Sequence, residues 1–347
     1  MSKILSAPND VVFAITSRCN LRCKHCLADD GSQDEISIDS AKKLISEFAT
    51  AKVFNVAIFG GEPLYHPNIF EILDEFSKYP IGLSINTNAI CITDDVADRL
   101  LQHRISSYVV SLDGSCPSIH EALRGKGSFD KAVAGIIRLT ERKQNVLMSA
   151  TVTRLNYRDL GPMIKLGQKL GVRQVRFNHL NYINNAECFE HELYIGSDEM
   201  QEVFSDILEI EASYGDFVTG TFLDVAKAIR KIDEGCVPEA SECLVVKSCG
   251  AGVFKCGIRP DGELIPCEVL WNSSCGNMFK EPLVDIWRNS SELNQLRAEL
   301  RLTRSELGEC MDCKYRAICY QGHRCSPYAD SQGELLSKKY YCLLGRK

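Results

Sequence analysis

Residues 11–26 have the sequence VVFAITSRCNLRCKHC, and this stretch decides the fold. Its first part, Val11–Thr16, is an apolar and largely β-branched run that predicts a buried strand. Its second part carries Cys19, Cys23 and Cys26 at the spacing C-x3-C-x2-C. Three thiolates can ligate three corners of a [4Fe–4S] cluster, which normally takes four, so the spacing predicts an open iron at a reactive site. A zinc site or ordinary thiols are the alternative, but no obvious fourth ligand lies nearby.

Composition narrows the classes of protein that the chain can belong to. The chain has 347 residues, 45% of them apolar, and a formal net charge of -6. No basic block predicts a nucleic-acid partner, and no apolar run reaches the roughly 18 residues of a membrane span. The start, Met1–Leu5, has no signal-peptide pattern, so we expect a cytoplasmic protein with reduced thiols. Its 17 cysteines therefore predict metal or cluster ligation rather than disulfides.

Residues 11–178 alternate between β-like and helix-like segments. Alternation of this kind predicts parallel βαβ units. Six such repeats are too few for a closed eight-stranded barrel, and they predict an α/β fold with a partial (β/α)6 TIM-like barrel, whose chemistry lies at the carboxyl ends of the strands. The predicted strands are Val11–Thr16, Val56–Phe59, Gly82–Asn86, Tyr108–Leu112, Leu147–Thr153 and Gln174–Asn178. The predicted helices are Ser40–Ala49 after a cap at Asp39, Ile69–Ser77, Thr93–Leu101, Phe129–Arg142 and a segment near Tyr157–Leu170.

The pattern changes in the second half of the chain. Apolar residues at helical spacing predict helices at Ser197–Tyr214 and near Leu223–Ile232. From Cys249 onward the chain is dense in cysteine and short of long periodic segments. We therefore expect three parts: the barrel over residues 1–190, a bridging helical region over 191–248, and a small cysteine-rich α+β iron–sulfur domain over 249–347.

Several strand ends carry residues suited to binding a small molecule. Gly60-Gly61-Glu62-Pro63 follows the second strand, where glycines let backbone approach a ligand closely and Glu62 offers a carboxylate to a cation. Short polar side chains end the third and fourth strands and could bind hydroxyl groups, although such residues are also ordinary turn formers. They are Asn86, Ser111 and Asp113.

The downstream cysteines have a spacing of their own. Cys249, Gly262 and Cys267 form C-x12-G-x4-C, with Cys256 inside it and Pro260–Glu263 as a hairpin turn. A second group reads C-x2-C-x5-C and is followed by two later cysteines. Eight thiolates suffice for two more four-ligand clusters, with two zinc sites as the alternative. The second group and the later pair are Cys310, Cys313, Cys319, Cys325 and Cys342.

Taken together, these motifs resemble radical SAM enzymes of the SPASM-domain subfamily, such as anaerobic sulfatase-maturating enzymes and peptide-modifying maturases of cofactor and RiPP pathways. The resemblance implies that the open iron of the Cys19/Cys23/Cys26 cluster binds S-adenosylmethionine (SAM). His25 would lie against the adenine and would not be a metal ligand. Arg124, in a run Leu123–Asp130 typical of the peptide-modifying branch, would pair with the SAM carboxylate, unless it is simply solvated. The implied SAM contacts are Gly60, Gly61, Glu62, Pro63, Asn86, Ser111, Asp113 and Arg124.

The resemblance also implies two auxiliary [4Fe–4S] clusters, three in all. Its crossed pattern assigns Cys249, Cys256, Cys267 and Cys325 to the first auxiliary cluster. It assigns Cys310, Cys313, Cys319 and Cys342 to the second. The chain departs from the family where a cysteine would stand at position 323, which is His323. We favour Cys325 as the replacement, with ligation by His323 or an open iron as alternatives.

The remaining cysteines are expected to be small buried hydrophobic residues. Cys116 and Cys188 follow barrel strands and are the first candidates for a catalytic hydrogen-atom donor or base, as some relatives use. The others are Cys91, Cys236, Cys243 and Cys275.

The activity implied by the resemblance is reductive cleavage of SAM to a 5′-deoxyadenosyl radical. That radical would oxidatively modify an unactivated C–H of a peptide, by crosslinking, thioether formation, decarboxylation or similar, while the auxiliary clusters accept or relay electrons. A small alcohol or sugar is the alternative substrate, and a non-catalytic iron–sulfur electron carrier is the alternative of another class. A flavodoxin- or ferredoxin-type protein would supply electrons. Since about ten residues precede the first strand, we expect a peptide to bind directly or through a separate recognition protein.

Overall fold

One sheet organises the part of the chain that the structure describes. This computed structural model describes residues 5–29, 31–235 and 250–299. Its strands are β1 Asp10–Thr16, β2 Asn55–Gly60, β3 Gly82–Thr87, β4 Ile105–Ser111, β5 Val146–Val152, β6 Gln174–His179, β7 Val218–Thr219, β8 Lys255–Ile258 and β9 Leu264–Ile265. They pair in the order β7-β6-β5-β4-β3-β2-β1-β8-β9, and every pair is parallel except β8–β9. The predicted α/β class with parallel βαβ units is therefore confirmed.

Helices connect the strands. They are α1 Ile38–Thr50, α2 Ile69–Phe76, α3 Asp94–Leu100, α4 Pro117–Arg124, α5 Phe129–Glu141, α6 Leu160–Lys169, α7 Asn185–Cys188, α8 Glu190–Leu193, α9 Ser197–Tyr214, α10 Thr221–Asp233, α11 Leu283–Asn289 and α12 Ser291–Glu299. Short 3₁₀ turns lie at Pro63–Tyr65, Tyr157–Asp159, Gly215–Phe217 and Glu268–Leu270. None of the helices within the described ranges is long and apolar enough to cross a membrane.

Alternate side chains of β1 face the hydrophobic core and the interior of the partial barrel. Alternate side chains of a strand point to opposite faces. Val11, Phe13 and Ile15 lie in the main hydrophobic core with the apolar faces of the helices, and the Phe13 ring packs edge-on against Phe48 at 5.4 Å between centroids. Val12, between them, lines a cavity on the other face. The helices therefore cover one face of the sheet and leave the other to a site.

Two helical details differ from the sequence prediction. Helix α1 begins at Ile38, and its cap is Ser37, whose side chain accepts a hydrogen bond from the Ser40 amide. The predicted cap, Asp39, lies in the first turn, where its charge favours the positive end of the helix dipole. Helix α4 was not predicted, although Pro117 is its first residue, a position that proline favours. Arg124 ends this helix.

The second half of the described chain extends the same sheet. The helices predicted at Ser197–Tyr214 and near Leu223–Ile232 exist as α9 and α10, and their buried faces belong to the main core. Between them β7 pairs with β6, and at the opposite edge β8 pairs with β1. The turn at Pro260–Glu263 joins β8 to β9, with Gly262 at φ +84°. The boundaries at residues 190 and 248 remain predictions.

Candidate active site

A cavity of about 790 Å³ lies on the inner face of the half-barrel. Its walls are side chains of β1–β6 that point away from the helices, together with the loops that follow these strands. Cys19, Cys23 and Cys26 all line it. The loop after β1 thus places the predicted cluster ligands at the carboxyl ends of the strands, where parallel α/β folds carry their chemistry.

The two glycines after β2 make room for the cysteine loop. A Cβ on Gly60 would lie 2.2 Å from the Thr16 carbonyl oxygen, and a Cβ on Gly61 would lie 2.2 Å from that of Arg18. Gly60 also has φ +138°, which L side chains rarely adopt. The Gly61 amide donates to Thr16 at 2.7 Å, and the Glu62 amide donates to Arg18 at 2.9 Å. These close backbone contacts fix the loop that carries Cys19.

Glu62 is completely buried and ties β2 to β3. Its carboxylate accepts hydrogen bonds from the Leu64 amide at 3.1 Å, the Thr87 hydroxyl at 2.7 Å and the Asn88 amide at 2.7 Å. Burial raises the pKa of Glu62, and the three hydrogen bonds oppose that rise. Asn88 in turn donates to the Asn20 side chain at 2.7 Å. Glu62 therefore supports the cysteine loop from beneath.

A buried charged group lies on the other side of the loop. Asp113 is fully buried, and its carboxylate contacts Arg124 Nε at 2.5 Å, His25 Nε2 at 3.3 Å and the Thr151 amide at 2.8 Å. Arg124 Nη1 also lies 3.8 Å from Cys23 Sγ. Burial would raise the pKa of Asp113, but the charge of Arg124 holds it below its usual range. The alternative of a solvated Arg124 is wrong, because its side chain is 12% exposed.

His25 is held neutral in this arrangement. Burial lowers the pKa of His25 to about 4, although Asp113 opposes that change. With Nε2 facing Asp113, its other ring nitrogen, Nδ1, is buried and has no hydrogen-bond partner in the part of the chain that the structure describes. His25 also lines the cavity.

Three thiols that line one cavity have the chemistry of iron–sulfur cluster ligands. Within the described residues, no three His, Cys, Asp or Glu side chains come close enough to hold one metal ion, as tetrahedral zinc would need. Each thiolate of a [4Fe–4S] cluster can bond a different iron, so the ligands lie further apart. Burial raises the pKa of Cys19 to about 11 and of Cys23 to about 12, and it raises that of Cys26. Ligation would therefore release protons from these thiols.

The structure brings some of the predicted SAM contacts to the cavity and not others. Gly60, Gly61, Asn86, Ser111 and Arg124 line it. The remaining three, Glu62, Pro63 and Asp113, do not. Glu62 and Asp113 are buried outside the cavity lining. Glu62 binds Thr87 and Asn88, and Asp113 binds Arg124 and His25.

The candidate catalytic cysteines lie away from the cavity. Cys116 precedes α4, and its sulfur lies 3.2 Å from the Ser118 hydroxyl. Cys188 is exposed at the end of α7. Neither lines the cavity, so this arrangement gives no support for their roles as hydrogen-atom donors.

The structure describes two of the predicted auxiliary ligands. Cys256, on β8, lies in the main hydrophobic core, where Cys275 also packs. Cys267 is buried at the start of the 3₁₀ turn Glu268–Leu270, and Glu268 and Val269 line the cavity. The other predicted ligands lie outside the described residues, so both auxiliary sets remain predictions. They are Cys249, Cys310, Cys313, Cys319, Cys325 and Cys342, together with the alternative His323.

Sequence reasoning missed the polar wall formed by β5 and β6. Ser149, Thr151, Arg176 and Asn178 all line the cavity, and the Asn178 side chain donates to the Ser149 hydroxyl at 3.0 Å. The signal was present as period-2 alternation, since polar residues here alternate with buried ones such as Phe177. This alternation predicts that β5 and β6 each turn one polar face toward an interior cavity.

The geometry first defines a class: an α/β partial barrel that brings three thiols to one cavity. Residues 13–167 match the Radical SAM superfamily model, and residues 249–314 match SPASM, an iron–sulfur cluster-binding domain. The chain therefore carries a radical SAM domain and a SPASM domain. It is an enzyme whose domains indicate iron–sulfur clusters and SAM binding.

The chain matches several known proteins over most of its own length and most of theirs. Mycofactocin maturase MftC of Mycobacterium tuberculosis is 28% identical over 326 residues, which are 92% of this chain and 78% of the relative. AdoMet-dependent heme synthase of Methanosarcina barkeri is 26% identical over 358 residues, covering 99% and 98%. Streptococcus suis SuiB, solved with its precursor peptide SuiA, has a TM-score of 0.74 at 19% identity, covering 93% of this chain and 73% of SuiB. The last comparison supports the fold alone.

Proposed function

We propose that this radical SAM enzyme oxidatively modifies an unactivated C–H of a peptide substrate. The observation that carries the proposal is the convergence of Cys19, Cys23 and Cys26 on one cavity at the carboxyl ends of parallel strands. A cluster ligated by these thiols would, with SAM bound, supply a one-electron cleavage that generates a hydrogen-abstracting radical. The other residues position the reactants and limit access of water.

Each wall of the cavity has a distinct task in this proposal. The Gly60-Gly61 backbone holds the cysteine loop, while Asp113 fixes Arg124 beside Cys23. Arg124 lines the cavity, and its guanidinium suits the SAM carboxylate. Asn86 and Ser111 face the same cavity and suit its ribose hydroxyls.

The peptide class is supported by the relatives. MftC is named a maturase, and SuiB was solved with a precursor peptide. We propose the same substrate class here, with a flavodoxin- or ferredoxin-type reductant and, where direct binding is weak, a separate recognition protein. Two auxiliary clusters would accept or relay the electron that the oxidised product releases, for three clusters in all.

A small-molecule substrate is the second candidate. It is favoured by the heme synthase, which matches this chain over 99% of its length and 98% of its own. The two candidates are separated by assay, because a modified peptide and a modified small molecule differ in mass.

The test is anaerobic reconstitution with iron and sulfide, followed by reduction and addition of SAM. Wild-type protein is expected to form 5′-deoxyadenosine, whereas a non-catalytic electron carrier forms none. Cys23→Ala is expected to abolish this product and to keep the auxiliary clusters, while Cys188→Ala, an exposed position, is expected to cleave SAM normally. Cleavage retained in Cys23→Ala would contradict the cluster assignment. Candidate peptides encoded beside the gene are then screened by mass for a modified product.

A further inference from the structure

Among the described residues, one cationic side chain that lines the cavity has no acidic partner. Four Lys and Arg side chains line the cavity. Arg22 lies 3.6 Å from Asp29, Arg124 lies 2.5 Å from Asp113, and Lys255 lies 2.6 Å from Glu268. The fourth, Arg176 on β6, has a guanidinium that makes no ion pair or hydrogen bond within residues 5–29, 31–235 and 250–299.

Arg176 is also partly withdrawn from water. Its side chain is half-buried in the cavity wall, and burial alone lowers its pKa, with no contribution from a charged neighbour. Asp224 lines the same cavity but makes no ion pair with Arg176 in the part of the chain that the structure describes. A half-buried guanidinium without a counter-charge is costly unless a ligand supplies one.

The neighbours of Arg176 add a hydrogen-bond donor. Arg176 pairs in register with Ser149 on β5. The Ser149 hydroxyl accepts from Asn178 at 3.0 Å, which leaves its own proton to donate. An arginine fork beside a hydroxyl donor suits a planar carboxylate.

We propose that Arg176 binds a carboxylate of the substrate, either an acidic side chain or the carboxyl terminus of the peptide. This inference rests on the proposed function, because it assigns a chemical class to the substrate of the same cavity. The carboxylate of SAM has a nearer partner. It would lie with the thiols, where Arg124 is 3.8 Å from Cys23 Sγ, whereas Arg176 lies on β6, and the thiol loop follows β1 at the other end of the run β6-β5-β4-β3-β2-β1.

The test uses reconstituted, SAM-loaded full-length protein and two peptide pools as probes. One pool holds random acetylated hexapeptides with free carboxyl termini and with Asp and Glu. The other has amidated termini, with Asn and Gln instead. We expect wild-type protein to retain the first pool at least about tenfold more than the second, as loss of one charge-assisted contact of about 1.4 kcal/mol would give.

Three variants complete the design. Arg176→Gln is expected to lose this preference, and Arg176→Lys, which keeps the charge but not the fork, is expected to keep part of it. Arg173→Gln removes an exposed charge just before β6 and is expected to behave as wild type. The dissociation constant of SAM and the melting temperature are measured for each variant, and both are expected to stay unchanged in Arg176→Gln.

The outcomes separate the inference from the function on which it rests. Equal retention of both pools by wild type, or an unchanged preference in Arg176→Gln, overturns the inference alone. So does an Arg176→Gln variant whose SAM affinity falls more than about tenfold, since the carboxylate would then belong to SAM. Retention of neither pool overturns the peptide class as well, whereas absence of 5′-deoxyadenosine in the earlier assay overturns the proposed function itself.

Discussion

At the scale of the residue, Gly61 has a steric reason to be glycine that does not depend on a ligand. A Cβ there would lie 2.2 Å from the Arg18 carbonyl oxygen, and a backbone atom cannot move aside cheaply. We expect Gly61→Ala to displace the cysteine loop and to lower the free energy of unfolding by about 1–3 kcal/mol. We also expect it to lose the iron of the cluster predicted at Cys19, Cys23 and Cys26. Chemical denaturation and iron analysis measure these effects.

Gly161 provides the matched control for that prediction. A Cβ added at Gly161, on α6, would meet nothing within 4 Å. Gly161→Ala is therefore expected to be neutral or to stabilise by up to about 1 kcal/mol, because alanine favours a helix. Equal stability and iron content in both variants would show that the contact between Gly61 and Arg18 does not constrain the loop.

Asp113 is a second residue whose role is support. Its buried carboxylate compensates Arg124 and holds His25 and the Thr151 amide. Asp113→Asn leaves the guanidinium without a counter-charge, and removal of one partner from a buried pair costs about 3–5 kcal/mol. We expect a loss of this size in urea unfolding, together with weaker SAM binding.

The control for Asp113 is an exposed carboxylate. Asp74 is 72% exposed and contacts His103 at 3.1 Å, so Asp74→Asn is expected to change stability by no more than about 0.5 kcal/mol. If Asp113→Asn were as stable as Asp74→Asn, the buried group would not support Arg124.

At the scale of the element, the sequence predicts the strands well because their apolar runs face a helix layer. All six predicted barrel strands exist, with ends that differ by a few residues. Helix α4 was not predicted because it has only eight residues, of which His120 and Leu123 are buried, so few residues carry its pattern. β7, at Val218–Thr219, has two residues and no period at all.

The same difference explains what could be predicted of the site. Their spacing predicts the cluster ligands Cys19, Cys23 and Cys26. The position after β2 predicts a functional role for Gly60 and Gly61. No such signal marks Arg176, because an isolated arginine in a strand has no signature until register places it on the cavity wall. Local spacing is visible in a sequence, whereas convergence of separate strands is not.

Glu62 tests the connection between two elements. Its carboxylate accepts from the Thr87 hydroxyl and the Asn88 amide at the end of β3. Glu62→Gln would turn an amide group toward one of these donors and leave it unsatisfied, at a cost of about 1–3 kcal/mol. We expect the melting temperature to fall even in protein without SAM. Glu71→Gln, at an exposed position on α2, is the control and should not change it. A Glu62→Gln variant that melts like wild type and loses only SAM affinity would instead support direct contact with SAM.

At the scale of the whole molecule, residues 250–299, the described part of the cysteine-rich region, meet the barrel at the cavity. β8 pairs with β1, the strand that leads into the thiol loop. Trp287 on α11 donates to the Leu5 carbonyl at 2.9 Å, which joins the later helices to the start of the chain. Cys267 directly precedes Glu268 and Val269, both on the cavity wall. An auxiliary cluster ligated by Cys267 would therefore adjoin the space in which a substrate is oxidised.

This adjacency predicts a separation of two activities. Cys267→Ala is expected to lose the iron of one auxiliary cluster and to keep SAM cleavage, because the predicted ligands of the SAM-binding cluster lie on the loop after β1. Without a nearby electron acceptor, however, 5′-deoxyadenosine would form without modified product. The ratio of the two, measured by chromatography and mass spectrometry, should rise at least about tenfold over wild type, equivalent to about 1.4 kcal/mol in the coupled step. Cys275→Ala, a buried cysteine that the auxiliary assignments do not include, is the control and should keep the wild-type ratio. Normal coupling in Cys267→Ala would show that the electron leaves the product by another route.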